Sequence, residues 1–207
     1  MPHATRKEVL ISGFGGQGVL KAGRVLGYAA VLAGLKATML ASHGTETRGG
    51  YVRSQVVISD EAIDNPVTER PDIFCALSQA AYDRFRFLAD KGLIVYDQDV
   101  VVPELSPGAA VLALPARRLA AGQAGSELSA NFVALGAVLR RLPLVPLEYG
   151  LQSVREILPR HGEINARALE IGYHFPSPGE RSPGRAAPGG RSPGKGGQMI
   201  PLNHNSC

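Results

Sequence analysis

Apolar positions along this chain follow two periods that alternate. Val9, Leu10 and Ile11 form a short unbroken aliphatic run, the pattern of a strand buried on both faces of a parallel sheet. From Val19 the small and apolar residues Val19, Ala22, Gly23, Leu26, Ala30 and Ala33 recur every three or four positions and stop at Gly34. That spacing is one buried helix face with a glycine terminator. The same reading predicts further strands over 37–42, 54–58, 73–77, 93–96 and 111–114, and helices over 80–88, 131–141, 147–158 and 164–172. Strands interleaved with helices predict an α/β fold: a three-layer domain with a mostly parallel, doubly covered sheet and its ligand edge at the strand carboxyl ends.

Between the first strand and first helix lies Gly13-Phe14-Gly15-Gly16-Gln17-Gly18. Four glycines allow a tight turn and close approach of a ligand, and the following helix directs its unpaired N–H groups to the same place. A phosphate or other anion suits such a turn, and Lys21 and Arg24 are nearby cations. The alternative is a turn whose glycines serve only close packing. A dinucleotide site also needs an acid at the end of the second strand. That strand instead runs into Ser42-His43-Gly44-Thr45, which argues against an ordinary nicotinamide dehydrogenase.

A second polar cluster follows, Ser42-His43-Gly44-Thr45-Glu46-Thr47-Arg48-Gly49-Gly50. It falls at the same predicted rim, where Glu46 and Arg48 offer opposite charges; a solvated loop carrying a surface ion pair is the plainer reading. Asn131 opens an apolar helix and reads first as its cap, with ligand or interface contact second. Asp97 and Asp99 follow a strand and read as solvated loop acids rather than metal ligands. Ser78 sits at a strand-to-helix turn as a hydrolase nucleophile would, with Asp97 and His161 in matching chain order. The flanking glycines of that motif are missing, so a helix cap is preferred to a serine hydrolase.

Composition changes the picture at the end of the chain. Residues 1–175 read as one domain and 176–207 as a Pro/Gly/Arg-rich disordered tail in which Arg181-Ser-Pro-Gly-Arg185 is echoed by Arg191-Ser-Pro-Gly-Lys195. Arg181, Arg185, Arg191 and Lys195 against Glu180 carry three of the four net positive charges, which leaves the domain near neutral. The basic balance is therefore no argument for nucleic acid, and no aromatic interleaving supports base stacking. Apolar runs fall well short of the roughly 20 residues of a membrane span, and no secretory signal is read at the start. Cys75, in a buried-looking strand, and Cys207, in the tail, suggest a reducing cytoplasm.

Gly13-Phe-Gly-Gly-Gln-Gly18, Glu46-Thr-Arg-Gly-Gly50, Ile58-Ser-Asp-Glu61, Pro71-Asp-Ile-Phe-Cys-Ala-Leu-Ser-Gln-Ala-Ala-Tyr82, Asn131-Phe-Val-Ala-Leu-Gly136 and Asn165 to Tyr173 together resemble the γ subunit of 2-oxoacid:ferredoxin oxidoreductases over about residues 7–174. Phe14 and Ala76-Leu-Ser-Gln79 resemble the 2-oxoglutarate branch, since the pyruvate branch more often has a charged residue at the position of Phe14. The resemblance implies a hetero-oligomer with α and β, and in some arrangements δ, subunits, passing electrons to ferredoxin. It implies conversion of a 2-oxoacid and coenzyme A to an acyl-CoA and carbon dioxide. Thiamine diphosphate and iron–sulfur clusters are then expected on partner subunits, because two cysteines cannot ligate a cubane cluster that takes four. No cofactor is expected on this chain alone, with coenzyme A the one ligand it could contact, through Gly13, Gly15, Gly16, Gln17, Gly18, Glu46, Arg48 and Gly49. No catalytic residue is assigned. The competing class is a stand-alone nucleotide-binding regulator.

Overall fold

The computed structural model describes residues 5–44, 50–104 and 110–176. These residues form six strands and six α-helices: β1 (Arg6–Phe14), α1 (Val19–Leu32), β2 (Lys36–His43), β3 (Tyr51–Ser59), β4 (Ile73–Ala76), α2 (Gln79–Phe85), β5 (Leu93–Asp97), β6 (Ala110–Leu114), α3 (Ala116–Leu119), α4 (Ala130–Leu139), α5 (Leu147–Ile157) and α6 (Gly162–Tyr173). The sheet order is β2-β3-β1-β4-β5-β6. β1, β4, β5 and β6 run parallel, whereas β3 is antiparallel to both β1 and β2. The one reversed strand follows from chain length: parallel strands need a crossover of a dozen or more residues, and the segment between β2 and β3 is too short for one. Val9 pairs with both Val56 and Ile73, so β1 lies at the centre with the strand order reversing around it.

The two sheet faces are covered unequally. Val9, Ile11, Val56, Ile58, Cys75, Val95, Leu112 and Leu114 belong to the larger core, with Val25, Leu26 and Ala29 of α1 and Phe132, Leu135 and Leu139 of α4. Leu10, Phe74, Ala76, Ile94 and Tyr96 point the other way and meet Tyr82 and Phe85 of α2. The expected helix over 80–88 ends at Phe85 and tightens into a 3₁₀ turn over Arg86–Ala89. Beyond α2, the thin layer is completed by loop 60–72: Thr68 N and Oγ1 donate to the buried Gln55 Oε1 at 3.2 and 2.8 Å.

Residues Asn131 to Leu139 of α4 are all buried, as befits a helix apolar on every side. Its closest neighbour is α6, and the crossing brings main chain against main chain. A Cβ at Gly136 would collide with the Leu169 carbonyl oxygen, and one at Gly172 with that of Val133. This contact fixes the starts of α4 and α6 relative to the carboxyl edge of the sheet.

Candidate functional site

β1 ends in the glycine turn, and the chain holds that turn by local bonds. Gly16 and Gly18 adopt φ of 88° and 73°, the left-handed region that glycine enters without Cβ strain. Gln17 braces the turn from inside: its Oε1 accepts from Phe14 N at 2.6 Å and its Nε2 donates to Leu77 O at 2.9 Å, beyond β4. The amide of Gln17 is thus occupied, while Gly15 and Gly16 are exposed. Gly18 begins α1 without a side-chain cap and without an acid in the first turn, so its helix-start donors face the rim.

Three helix starts meet here. A cleft of about 240 Å³ between α1, α4 and α6 is lined by Gly16, Gly18 and Lys21, by Ser126, Leu128, Ser129, Asn131 and Phe132, and by His161, Ile164 and Asn165. None of the three helices has a side-chain hydrogen bond capping its start. Ser129 Oγ instead donates to Asn165 Oδ1 at 2.8 Å, joining α4 to α6. Asn131 does not cap its own helix, contrary to the sequence reading. It lies inside α4 and its Nδ2 donates to Gly18 O at 3.3 Å, which ties α4 to the glycine turn. Its Oδ1 is buried with no hydrogen-bond donor among the described residues.

A second cleft of about 390 Å³ shares Gly16 and Asn131 and extends along the carboxyl ends of β1, β4 and β5, lined also by Gln17, Leu77, Asp97, Arg117, Glu127, Leu128 and Ala130. Asp97 is not the solvated loop acid expected from sequence but is 3% exposed. Its Oδ1 accepts from Asp99 N at 3.1 Å, and Arg117 Nε stands 3.8 Å from its Oδ2. Burial raises the Asp97 pKa above its ordinary 3.8, against hydrogen bonds that lower it. Asp99 is paired with Arg118 at 2.9 Å. Sequence reasoning passed over Arg117, in the four-residue helix α3, and Glu127 and Leu128, in a three-residue 3₁₀ turn, elements too short to show a periodicity.

Other predicted residues separate from this edge or belong to it only through their flanks. Phe14, Gly15, Gly16, Gly18 and Lys21 share a third hollow with His43 of β2 and Val52 of β3, so the end of β2 and the start of β3 lie beside the glycine turn. Glu46, Arg48 and Gly49 lie outside the described residues. Arg24 faces a different groove, with Tyr28, Met39 and Glu156. Ser78 is a cap, its Oγ accepting from Ala81 N at 3.3 Å. Cys75 is buried and its pKa is pushed up to about 12 by that burial, which leaves an unreactive thiol. No group of three or more His, Cys, Asp or Glu able to hold a metal occurs among the described residues, and among them no helix is long and apolar enough to cross a membrane.

A central β1, with a glycine turn and uncapped helix starts at one sheet edge, defines an open α/β fold whose loops gather at the strand carboxyl ends. The family described as pyruvate ferredoxin/flavodoxin oxidoreductase matches residues 8–175, and the chain belongs to it. It is 39% identical over 173 residues to the 2-oxoglutarate synthase subunit KorC of Methanocaldococcus jannaschii, covering 81% of this chain and 92% of that one. The keto/oxoacid ferredoxin oxidoreductase γ subunit of Geobacter sulfurreducens superposes with a TM-score of 0.71 at 32% identity, over 81% of this chain and 96% of the other. The 2-oxoglutarate:ferredoxin oxidoreductase of Magnetococcus marinus, with 2-oxoglutarate, coenzyme A and succinyl-CoA bound, also gives 0.71 at 25% identity. That likeness covers 81% of this chain and 30% of the longer one. The γ-subunit resemblance and the α/β expectation both hold, with β3 as the single reversed strand.

Proposed function

We propose that this chain is the γ-type subunit of an oxidoreductase that converts 2-oxoglutarate and coenzyme A to succinyl-CoA and carbon dioxide, the electron pair released passing to ferredoxin. The observation that carries this reading is near full-length similarity to KorC subunits, 39% and 37% identical over 92% and 100% of their lengths. Thiamine diphosphate and the iron–sulfur clusters belong to α and β, or δ, subunits in this reading, and the complex works in the cytoplasm. Residues 176–207 are read as an appendage, which is supported by the family match ending at residue 175.

Within the complex, this chain's part is to hold coenzyme A at its carboxyl edge. Coenzyme A supplies the thiol that accepts the acyl group. Its phosphates fit the uncapped start of α1, where N–H groups and the helix dipole favour an anion, and Lys21 adds a cation in the same cleft. Glu46, Arg48 and Gly49, on the segment joining β2 to β3, are assigned to the same ligand.

Capture of the tagged chain from its native extract, assayed for thiamine- and coenzyme A-dependent reduction of a viologen dye, tests this. Co-purifying subunits with activity on 2-oxoglutarate are expected, and a partner-free chain without activity would overturn the reading in favour of a stand-alone binder. In the active complex, Lys21→Ala is expected to raise the KM for coenzyme A about tenfold, the scale of one lost charged contact, with little change in that for 2-oxoglutarate. Equal changes in both would remove coenzyme A from this edge.

A further inference from the structure

The larger cleft has features that a phosphate site does not explain. Its charged groups are two carboxylates and one guanidinium. Asp97 contributes a carboxylate 3% exposed, and Glu127 contributes another at the rim. One guanidinium serves both: Arg117 Nε lies 3.8 Å from Asp97 Oδ2 and Arg117 Nη1 lies 3.9 Å from Glu127 Oε1. Both pairs are at the outer limit of ion pairing, and two carboxylates share one positive charge. Asn131, 6% exposed, lines the same cleft and its Oδ1 has no donor among the described residues. A buried acceptor left without a donor costs stability. Beside this polar interior, Leu128 stands 91% exposed on the lip of the cleft.

We infer that this cleft is a socket for a lysine or arginine side chain of an adjoining subunit, with Leu128 as the apolar contact at its mouth. The inference rests on the subunit reading above. Charge complementarity selects the occupant, because an incoming ammonium or guanidinium supplies the positive charge that Arg117 cannot give to both carboxylates. It also brings the N–H donors toward the side of the cleft that Asn131 forms. Leu128 lines both clefts, and a leucine left 91% exposed there gains most where an extended second surface covers it, which suits a partner protein. The donors and acceptors then sort by function along one edge. Helix starts and Lys21 face the anionic ligand, and the acidic cleft faces the partner's cation.

The test uses the complex reconstituted from this chain and its purified partner subunits. Asp97→Asn keeps the shape of the side chain and removes its charge, while Glu127→Lys and Leu128→Ala change exposed positions that the fold does not need. Each is expected to raise the dissociation constant at least tenfold in low salt, with the effects of Asp97→Asn and Glu127→Lys shrinking as salt rises and that of Leu128→Ala persisting. Carbodiimide coupling of the wild-type complex is expected to join Glu127 to a partner lysine where the occupant is lysine. Unchanged affinity in both Asp97→Asn and Glu127→Lys, with the complex still forming, overturns the socket while leaving the subunit reading intact. Coenzyme A saturating the isolated chain with an affinity that Asp97→Asn lowers would assign the cleft to the ligand and also overturn it. Failure of the wild-type chain to bind any partner removes the subunit reading and the socket together.

Discussion

The crossing of α4 and α6 and the carboxyl edge of the sheet lie a few turns apart on the same helices, yet they are built on opposite terms. At the crossing, glycines bring main chains together with no space for a methyl group, and every wall is apolar. At the edge, a carboxylate is buried beside a loosely placed guanidinium, an amide oxygen has no donor among the described residues, and a leucine is 91% exposed. Packing at the first place is complete in the single chain. At the second, the end of β5, the turn before α4 and Asn131 of α4 present groups left incompletely paired among the described residues. Stability and function are therefore separable by position, and substitutions divide accordingly.

The largest expected effect is at the crossing. Gly172→Ala places a methyl group against the Val133 carbonyl, and neither main chain can retreat without opening the core, so a loss of about 3 kcal/mol or more is expected. Urea unfolding of the isolated chain reads it. A midpoint within error of wild type would mean that the helices slide freely, and the contrast with the edge would lose its first term.

Gly18→Ala comes next and acts at both places. Its φ of 73° makes a Cβ cost about 1–2 kcal/mol, and that Cβ would meet Asn131 Nδ2 at 2.5 Å. Destabilisation of about 2 kcal/mol is expected, together with a raised KM for coenzyme A in the complex, since the start of α1 shifts. Stability loss without any change in KM would make the turn a packing device. Ser78→Ala, which removes only the cap bond to Ala81 N, is expected to cost about 1 kcal/mol and to leave the kinetics alone. Any loss of turnover beyond that expected from stability would reopen a catalytic role for this serine.

What the sequence made legible was local. The aliphatic run at Val9, the four glycines and the three- and four-residue spacing after Val19 lie next to one another, so strand, turn and helix follow from neighbours along the chain. The direction of β3 was hidden because Val56-Val57-Ile58 reads the same in a parallel or an antiparallel strand; only the short segment before it carries the answer. Asn131 misled for a related reason. A small polar residue at a helix start suits a cap, but its partner is Gly18 O, 113 residues away in sequence. Asp97 reads as exposed from its neighbours, but it is the last residue of β5, paired with Leu114 of β6, and Arg117 stands beside its carboxylate.

The smallest effect has the opposite sign. Asp97 has its pKa raised above 3.8 by burial, against the backbone N–H groups of Asp99 and Arg117 and the Arg117 charge, which lower it, while the Asp99 charge adds to the rise. A carboxyl raised in the folded state binds its proton more tightly there than in the unfolded chain. Its contribution to stability is therefore present at low pH and is lost as pH rises from about 3.8 through the raised value. Asp97→Asn removes that slope. Asparagine Oδ1 can still accept from Asp99 N, and Arg117 keeps Glu127 as its partner, so little else is lost. The isolated Asp97→Asn chain is expected to gain stability relative to wild type as pH rises from 4 to 7.5, read as the difference between urea midpoints at the two values. The same substitution is expected to weaken subunit association. A stabler chain that assembles less well would locate at Asp97 a charge kept for the partner rather than for the fold, whereas a less stable chain at neutral pH would return Asp97 to the structural side.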